Sequence, residues 1–154
     1  MLFQMSTKVE DASVRDLSKL YEIEIACFDR EAFSRPQLAS LLKSYNSIAL
    51  VAKIDSEIAG FIIGVIFVER NQLTGHILTI DVSPKNRRRG IGICLLQEIE
   101  KLFRSKGVKT SNLEVREDNL AGIGLYEKAG YKKVGKLISY YGNVNGIYLN
   151  KTLS

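Results

Sequence analysis

The sequence predicts an α/β fold: a mixed central β-sheet flanked by about four helices, in one domain over residues 1–154. Three observations carry this. Strand-like and helix-like runs alternate in the order β-α-α-β-β-β-α-β-α-β-β. A helix-like run, 91–103, separates the strand-like 76–82 from 113–116, so those two strands lie parallel, because parallel neighbours need a crossover. The chain then closes on two strand-like runs, 131–141 and 144–149, folded back around Gly142-Asn143 as an antiparallel hairpin.

Each element has its own signal. Residues 7–10 make a short edge strand, and Ser13 with Asp16 has the spacing of a capping arrangement. The helix behind it shows an apolar face of Val14, Leu17, Leu20, Tyr21, Ile25 and Phe28. After a loop at 29–33, Ser34 and Gln37 cap a second helix, Arg35 to Lys43, whose first turn tolerates Pro36. Residues 48–54 and 58–68 are strands joined by a tight turn at Asp55-Ser56, and 76–82 is the next strand. The helix from Ile91 buries Leu95, Leu96, Ile99, Leu102 and Phe103, and Gly107 ends it as a C-cap. Asp118 or Asn119 caps the last helix, which turns Leu125, Tyr126 and Ala129 inward and stops at Gly130.

Composition narrows the class. Hydrophobic residues at 45% and charged residues at 25% are those of a soluble globular domain. The net charge of +5, partly from Lys85 to Arg89, suits a polyanionic cofactor or an acidic partner and requires neither nucleic acid nor a membrane. Cys27 and Cys94 sit in apolar helical patterns and suggest no disulfide framework. Residues 1–9 lack the apolar core of a signal peptide, and the 58–68 run is too short to span a bilayer. A cytoplasmic location is expected. Cys27, Cys94 and His76 are too few and too scattered for a zinc site, so no metal is expected.

The most informative stretch is Arg87-Arg88-Arg89-Gly90-Ile91-Gly92, between a strand and a helix. Such a turn leaves backbone N–H groups unpaired at the positive end of the helix dipole, where a phosphate binds. Gly90 and Gly92 let the backbone approach a ligand, and the arginines add charge-assisted donors. A Walker loop is excluded here by the missing Lys-Ser/Thr tail. The later Gly130-Tyr131-Lys132-Lys133-Val134-Gly135-Lys136 ends in Leu137 and leads into a strand, and Leu95 occupies the third glycine position of a dinucleotide fingerprint. Taken alone, the arginine turn would also suit a solvated basic surface or a nucleic-acid contact.

A second segment changes that balance: Leu113-Glu114-Val115-Arg116, Asn119, then Leu125-Tyr126-Glu127-Lys128 and Gly130-Tyr131. With the arginine turn it resembles the GNAT superfamily of acetyl-CoA-dependent N-acetyltransferases, whose cofactor turn reads Arg/Gln-x-x-Gly-x-Gly/Ala. The element order is also that of the GNAT fold. Within the superfamily the chain is most similar to the N-terminal acetyltransferases of the ribosomal-protein alanine and archaeal types. Gly75 to Val82 resembles their central strand, with Asp81 where alanine is usual, and Tyr140-Tyr141 matches their paired tyrosines. Gly122 and Gly124 depart from the second motif. Cys27-Phe28-Asp29 to Phe33-Ser34 resembles the substrate loop loosely, and Val144-Asn145-Gly146-Ile147 replaces a more acidic run.

The chemistry needs a neutral amine and a stabilised thiolate leaving group. An α-amine, with a reference pKa of about 8 against about 10.4 for lysine, asks only a weak base. Glu114, mid-strand between apolar neighbours, suits that task; the alternative is a surface carboxylate paired with Arg116 or Lys109. His76, the only histidine, is a second candidate for base or water-positioning group, since archaeal-type relatives use a histidine there, or else a structural histidine. The resemblance makes Tyr126 the general acid, which does not prevent it from also packing on the sheet. It implies that the backbone of Ile80, Asp81 and Val82 pairs with the pantetheine of acetyl-CoA and that Arg87, Arg88, Arg89, Gly90, Ile91 and Gly92 hold the pyrophosphate. Asn119 caps its helix and, by the resemblance, also bonds the cofactor. Tyr140 and Tyr141 are candidates to hold the substrate N-terminus or else ordinary hairpin aromatics, and Glu31 is a weaker candidate in the substrate loop or else a solvated charge.

The expected activity is acetyl transfer from acetyl-CoA to a protein N-terminal α-amine, directly in a ternary complex, with ribosomal proteins among the candidate substrates. The alternatives are a small-molecule or lysine acetyltransferase and a non-catalytic acyl-CoA-binding module. A monomer or weak homodimer is expected.

Overall fold

The computed structural model describes residues 7–153. In chain order the elements are β1 (Thr7–Asp11), α1 (Leu17–Cys27), α2 (Arg35–Lys43), β2 (Ser47–Ile54), β3 (Glu57–Glu69) and β4 (Gln72–Val82). There follow α3 (Ile91–Ser105), β5 (Thr110–Arg116), α4 (Leu120–Lys128), β6 (Lys132–Tyr141) and β7 (Val144–Thr152). The strands form one sheet in the order β1-β2-β3-β4-β5-β7-β6. Only β4 and β5 are parallel; the other neighbours are antiparallel. This is the mixed α/β architecture that the sequence predicts.

Local signals place the helix ends. Ser34 Oγ accepts from Gln37 N–H at 3.2 Å and Gln37 Oε1 accepts from Ser34 N–H at 2.8 Å, the reciprocal box that starts α2. Ser13 and Asp16 instead frame a short 3-10 turn, Val14–Asp16, with Ser13 N–H on Asp16 Oδ2 at 2.9 Å, so α1 begins at Leu17. Past α3, Gly107 takes the left-handed conformation (φ 84) and Val108 N–H returns to Phe103 O at 3.0 Å, closing the helix end.

Two apolar layers sandwich the sheet. On one face Leu20 and Ile23 of α1 and Leu38 of α2 pack on Val51, Phe61 and Ile63. On the other, Leu95, Ile99 and Phe103 of α3 join Ile62, Ile77, Leu113 and Leu149, with Tyr126 of α4 at the rim. Phe103 fits only because two strand positions carry no side chain. A Cβ at Gly75 would stand 2.6 Å from its ring, and one at Gly64 2.9 Å.

The strand pair β4–β5 is short. Their residues pair only at Thr74↔Thr110, Gly75↔Ser111 and His76↔Asn112. Beyond that point β4 carries a bulge, because Gly64 faces Ile77 and Ile63 faces Thr79, leaving Leu78 as the extra residue. Bulges bend a strand. Meanwhile β5 runs on to Arg116 against β7, so a gap opens between β4 and β5. Ser83 N–H bonds Ala59 O at 2.8 Å, which sets the phase of the β3–β4 ladder. By the antiparallel alternation Thr79 and Asp81 turn their backbone groups to β3, and Ile80 and Val82 turn theirs to the gap.

Several boundaries extend beyond the sequence expectation. β3 and β4 form a long hairpin whose turn, Arg70-Asn71, lies in the left-handed region (φ 52 and 63) without glycine or proline to announce it. β4 therefore begins at Gln72 and β5 at Thr110. No helix among the described residues is long and apolar enough to cross a membrane.

Phe103→Ala should cost about 3–5 kcal/mol of unfolding free energy in urea titration, since glycine-lined walls leave no side chain to fill the space. A loss under about 1 kcal/mol would contradict this packing account.

Candidate active site

His76 is the last residue of β4 paired with β5, and Glu114 stands two residues beyond its register partner Asn112. Their side chains meet at the mouth of the gap, His76 Nε2 to Glu114 Oε1 at 2.7 Å. Both are half-buried, with side chains 26% and 16% exposed. The alternative pairing of Glu114 with Arg116 or Lys109 is not what forms. Arg116 instead binds Asp118 through two bonds of 2.9 and 3.0 Å and reaches Glu31 at 3.3 Å. His76 and Glu114, expected as rival bases, are one hydrogen-bonded pair.

Aromatic residues wall that pair. Tyr140 and Tyr141 meet edge to face with centroids 4.9 Å apart, and Tyr148 lies cross-strand from Glu114. Burial first, then the Glu114 charge, pushes the hydroxyls of Tyr140 and Tyr148 up; Tyr141 is raised by burial, by Tyr140 and then by Glu114. All three phenols stay protonated and can donate. The sequence reading missed Tyr148, although the period-2 pattern of 144–149 puts it beside Glu114 once the register is known. Glu31, in the loop 29–33, is held by Arg116, which also lies over the Tyr141 ring at 5.9 Å. That contact ties the loop to the last hairpin.

Tyr126 projects from α4 on the opposite side of the gap. Its ring is buried at 8% exposure, against Tyr131, and its hydroxyl has no hydrogen-bond partner among the described residues. Burial above all keeps the phenol protonated well above its usual range. It is an uncommitted donor facing the separated strands.

The arginine turn follows β4 through a short 3-10 turn, Pro84–Asn86. Gly90 caps α3 in the left-handed conformation (φ 79), which a side chain would strain. The first bond of α3 runs from Cys94 N–H to Gly90 O, so the N–H groups of Ile91, Gly92 and Ile93 point out of the helix start unpaired. Arg88 and Arg89 are exposed and make no hydrogen bond or ion pair among the described residues. Arg87 folds back, Nε to Val82 O at 3.2 Å and Nη2 to Cys27 Sγ at 3.4 Å. Gly92 serves packing as well: a Cβ there would meet Leu125 of α4 at 3.1 Å. Ile91 is core. Asn119 caps α4 by accepting from Gly122 N–H at 2.9 Å, and the missing side chain at Gly122 gives its amide room.

A strand with unpaired backbone toward a gap, a helix start with free N–H groups, and two free arginines are the parts a phosphopantetheine ligand needs. The sequence from residue 17 to 131 matches the acetyltransferase (GNAT) family. The chain is a GNAT acetyltransferase. An N-alpha-acetyltransferase of Sulfurisphaera tokodaii is 37% identical over 117 residues, 70% of each chain. The Escherichia coli ribosomal-protein-S18-alanine N-acetyltransferase superposes with TM-score 0.83 at 24% identity, covering 96% of this chain and 94% of that one. Arabidopsis thaliana NAA60 in complex with acetyl-CoA gives TM-score 0.86 at 18% identity, covering 95% and 98%. Both structural likenesses are of fold.

The backbone groups of β4 left open toward the gap are those of Ile80 and the N–H of Val82, because Val82 O accepts from Arg87 and Cys27, the backbone of Asp81 is spent on β3, and the Asp81 side chain, 1% exposed, points toward α1. Coenzyme A should raise the melting temperature, by about 2.7 kcal/mol of stability at a hundredfold excess over Kd, and its desulfo analogue should do the same. Replacing Arg88 and Arg89 together by alanine should shrink that shift and leave ligand-free stability within about 0.5 kcal/mol. No shift with coenzyme A would overturn the site.

Proposed function

We propose that this acetyltransferase acts on the N-terminal α-amine of proteins, by direct transfer from acetyl-CoA in a ternary complex. The observation that carries the reading is the His76–Glu114 pair at the mouth of the gap, walled by Tyr140, Tyr141 and Tyr148. The 37% identity to an N-alpha-acetyltransferase supports it. Acetyl-CoA supplies the acetyl group as a thioester. Ile80, through its N–H and C=O, and Val82, through its N–H, hold the extended pantetheine arm, and the start of α3 with Arg88 and Arg89 takes the pyrophosphate.

The peptide end enters between the loop 29–33 and the last hairpin. Its neutral amine forms the new N–C bond as the C–S bond breaks, and the amine gives up one proton. His76 accepts that proton, directly or through a water, while Glu114 accepts the hydrogen bond of the other ring nitrogen and holds the imidazole in place. Tyr126 hydrogen-bonds the sulfur as negative charge develops and supplies the thiol proton, which returns from solvent. An α-amine suits a site of this kind because a fraction is already neutral near pH 7, and lysine is not. Protein N-termini in the cytoplasm, ribosomal proteins among them, are the substrates that this reading implies.

The test compares a peptide with a free N-terminus and the same peptide N-terminally blocked, with one internal lysine. The rate on the free peptide should rise between about pH 6 and 8 as the amine loses its proton, and the blocked peptide should be poor near neutrality. Equal rates would replace this reading with a lysine acetyltransferase.

A further inference from the structure

Thr79, Asp81 and Glu24 meet in the layer between β4 and α1, away from the His76–Glu114 pair. All are buried, Thr79 at 5% exposure and the two acids at 1% each. Thr79 Oγ1 lies 2.6 Å from Asp81 Oδ1 and 3.0 Å from Glu24 Oε1. A threonine hydroxyl carries one hydrogen, and an ionised carboxylate carries none. With both acids ionised, one of the two contacts would set lone pair against lone pair, with two negative charges in a dry layer. One more proton makes both contacts attractive.

The surroundings decide which acid carries it. Glu24 uses its second oxygen, Oε2, to accept from the Phe33 N–H at 3.0 Å, so a charge there is met by two donors. Asp81 Oδ2 is buried with no partner. An unpaired oxygen is tolerable as the carbonyl of a neutral acid and costly as part of a carboxylate. We propose that Asp81 works as a neutral carboxylic acid, donating to Thr79, which donates on to Glu24, and that this proton chain holds the loop 29–33 through Phe33. Asp81 is thus a positioning residue that couples the substrate loop to the strand walling the gap. The importance of that loop rests on the N-terminal acetyltransferase reading; the protonation state does not.

The groups around Asp81 agree. From α1 come Glu24 and Cys27, from α4 Tyr126, and from the turn after β4 Arg87, while β3 offers the uncharged Phe61 and Ile63 opposite Asp81 and Thr79. Burial first, then the hydrogen bond and charge of Glu24, hold the Asp81 carboxyl well above the usual range, against weaker pulls from Thr79 and Arg87. A folded-state acid raised in this way binds a proton that the unfolded chain has released. Its contribution to stability is complete below the unfolded value of about 4 and falls, by at most tenfold in the folding constant per pH unit, as pH rises toward the folded value.

Infrared titration of the unliganded wild-type protein tests the protonation directly. The carbonyl band of a protonated carboxylic acid should persist at pH 7, where exposed carboxyls are ionised, and should vanish in Asp81→Asn. Absence of the band in the wild type would overturn the proposal, and so would its survival in Asp81→Asn. In turnover assays Asp81→Asn, whose amide donates to Thr79 as the acid does, should keep kcat and peptide KM within about threefold at neutral pH. Asp81→Ala should raise peptide KM about tenfold and leave the KM for acetyl-CoA unchanged, because it loses the donor but not the gap. A hundredfold fall in kcat for folded Asp81→Asn would show that the carboxylate is the working form and refute the proton chain. Failure of the free-peptide assay, with the infrared band present, would instead remove only the substrate reading.

Discussion

The parting of β4 from β5 after His76 and Asn112 is the constraint on which the rest of the molecule depends. A continuous parallel pair would satisfy the backbone of both strands and leave nothing for a ligand to do. The bulge at Leu78 turns β4 aside, and β5 stays with β7. The backbone groups of Ile80 and the N–H of Val82 are then left facing an opening, while Val82 O accepts from Arg87 and Cys27. The same divergence admits the Tyr126 hydroxyl from the α4 side and brings the His76 and Glu114 side chains together at the vertex. Because α3 starts just beyond β4, its unpaired N–H groups lie at the far end of the same opening.

Around this opening the polar groups are kept in defined states by what is buried beside them. Tyr140, Tyr141 and Tyr148 remain phenols next to a carboxylate, so Glu114 meets donors and not competing anions. The two acids between β4 and α1 are handled differently, by sharing the Thr79 hydroxyl and one extra proton. Glu100, buried on α3, is met by Lys151 at 2.7 Å and the Tyr131 hydroxyl at 3.0 Å, a fully paired arrangement remote from the opening. The contrast matters: the Glu100 carboxylate is fully paired, whereas Asp81 Oδ2 is buried without a partner.

Much of this was legible in the sequence where the signal is local. The Ser34–Gln37 box, the left-handed Gly90 at the start of α3 and the glycine end of α3 are written in a few adjacent residues. So is the candidate turn, because helix-start chemistry needs only Gly90 and its neighbours. What stayed hidden depends on register. Arg70-Asn71 turns without glycine or proline, so the expected β4 is shorter than the observed strand, and the Leu78 bulge is a property of two strands together. The pairing of His76 with Glu114 rather than Arg116, the cross-strand place of Tyr148 and the inward turn of Asp81 all follow from that pairing geometry. The bonds of Arg87 to Val82 O and Cys27 Sγ likewise join residues that come within reach only in three dimensions.

The central claim is that the backbone of β4 beyond the bulge is held open for a ligand arm. Residue-resolved amide hydrogen exchange with and without coenzyme A tests it most directly. The amides of Ile80 and Val82 should exchange readily in the free protein and become protected on binding, while those of Thr79 and Asp81, already bonded to β3, should be slow in both states. Protection of Ile80 and Val82 unchanged by saturating coenzyme A would contradict the account.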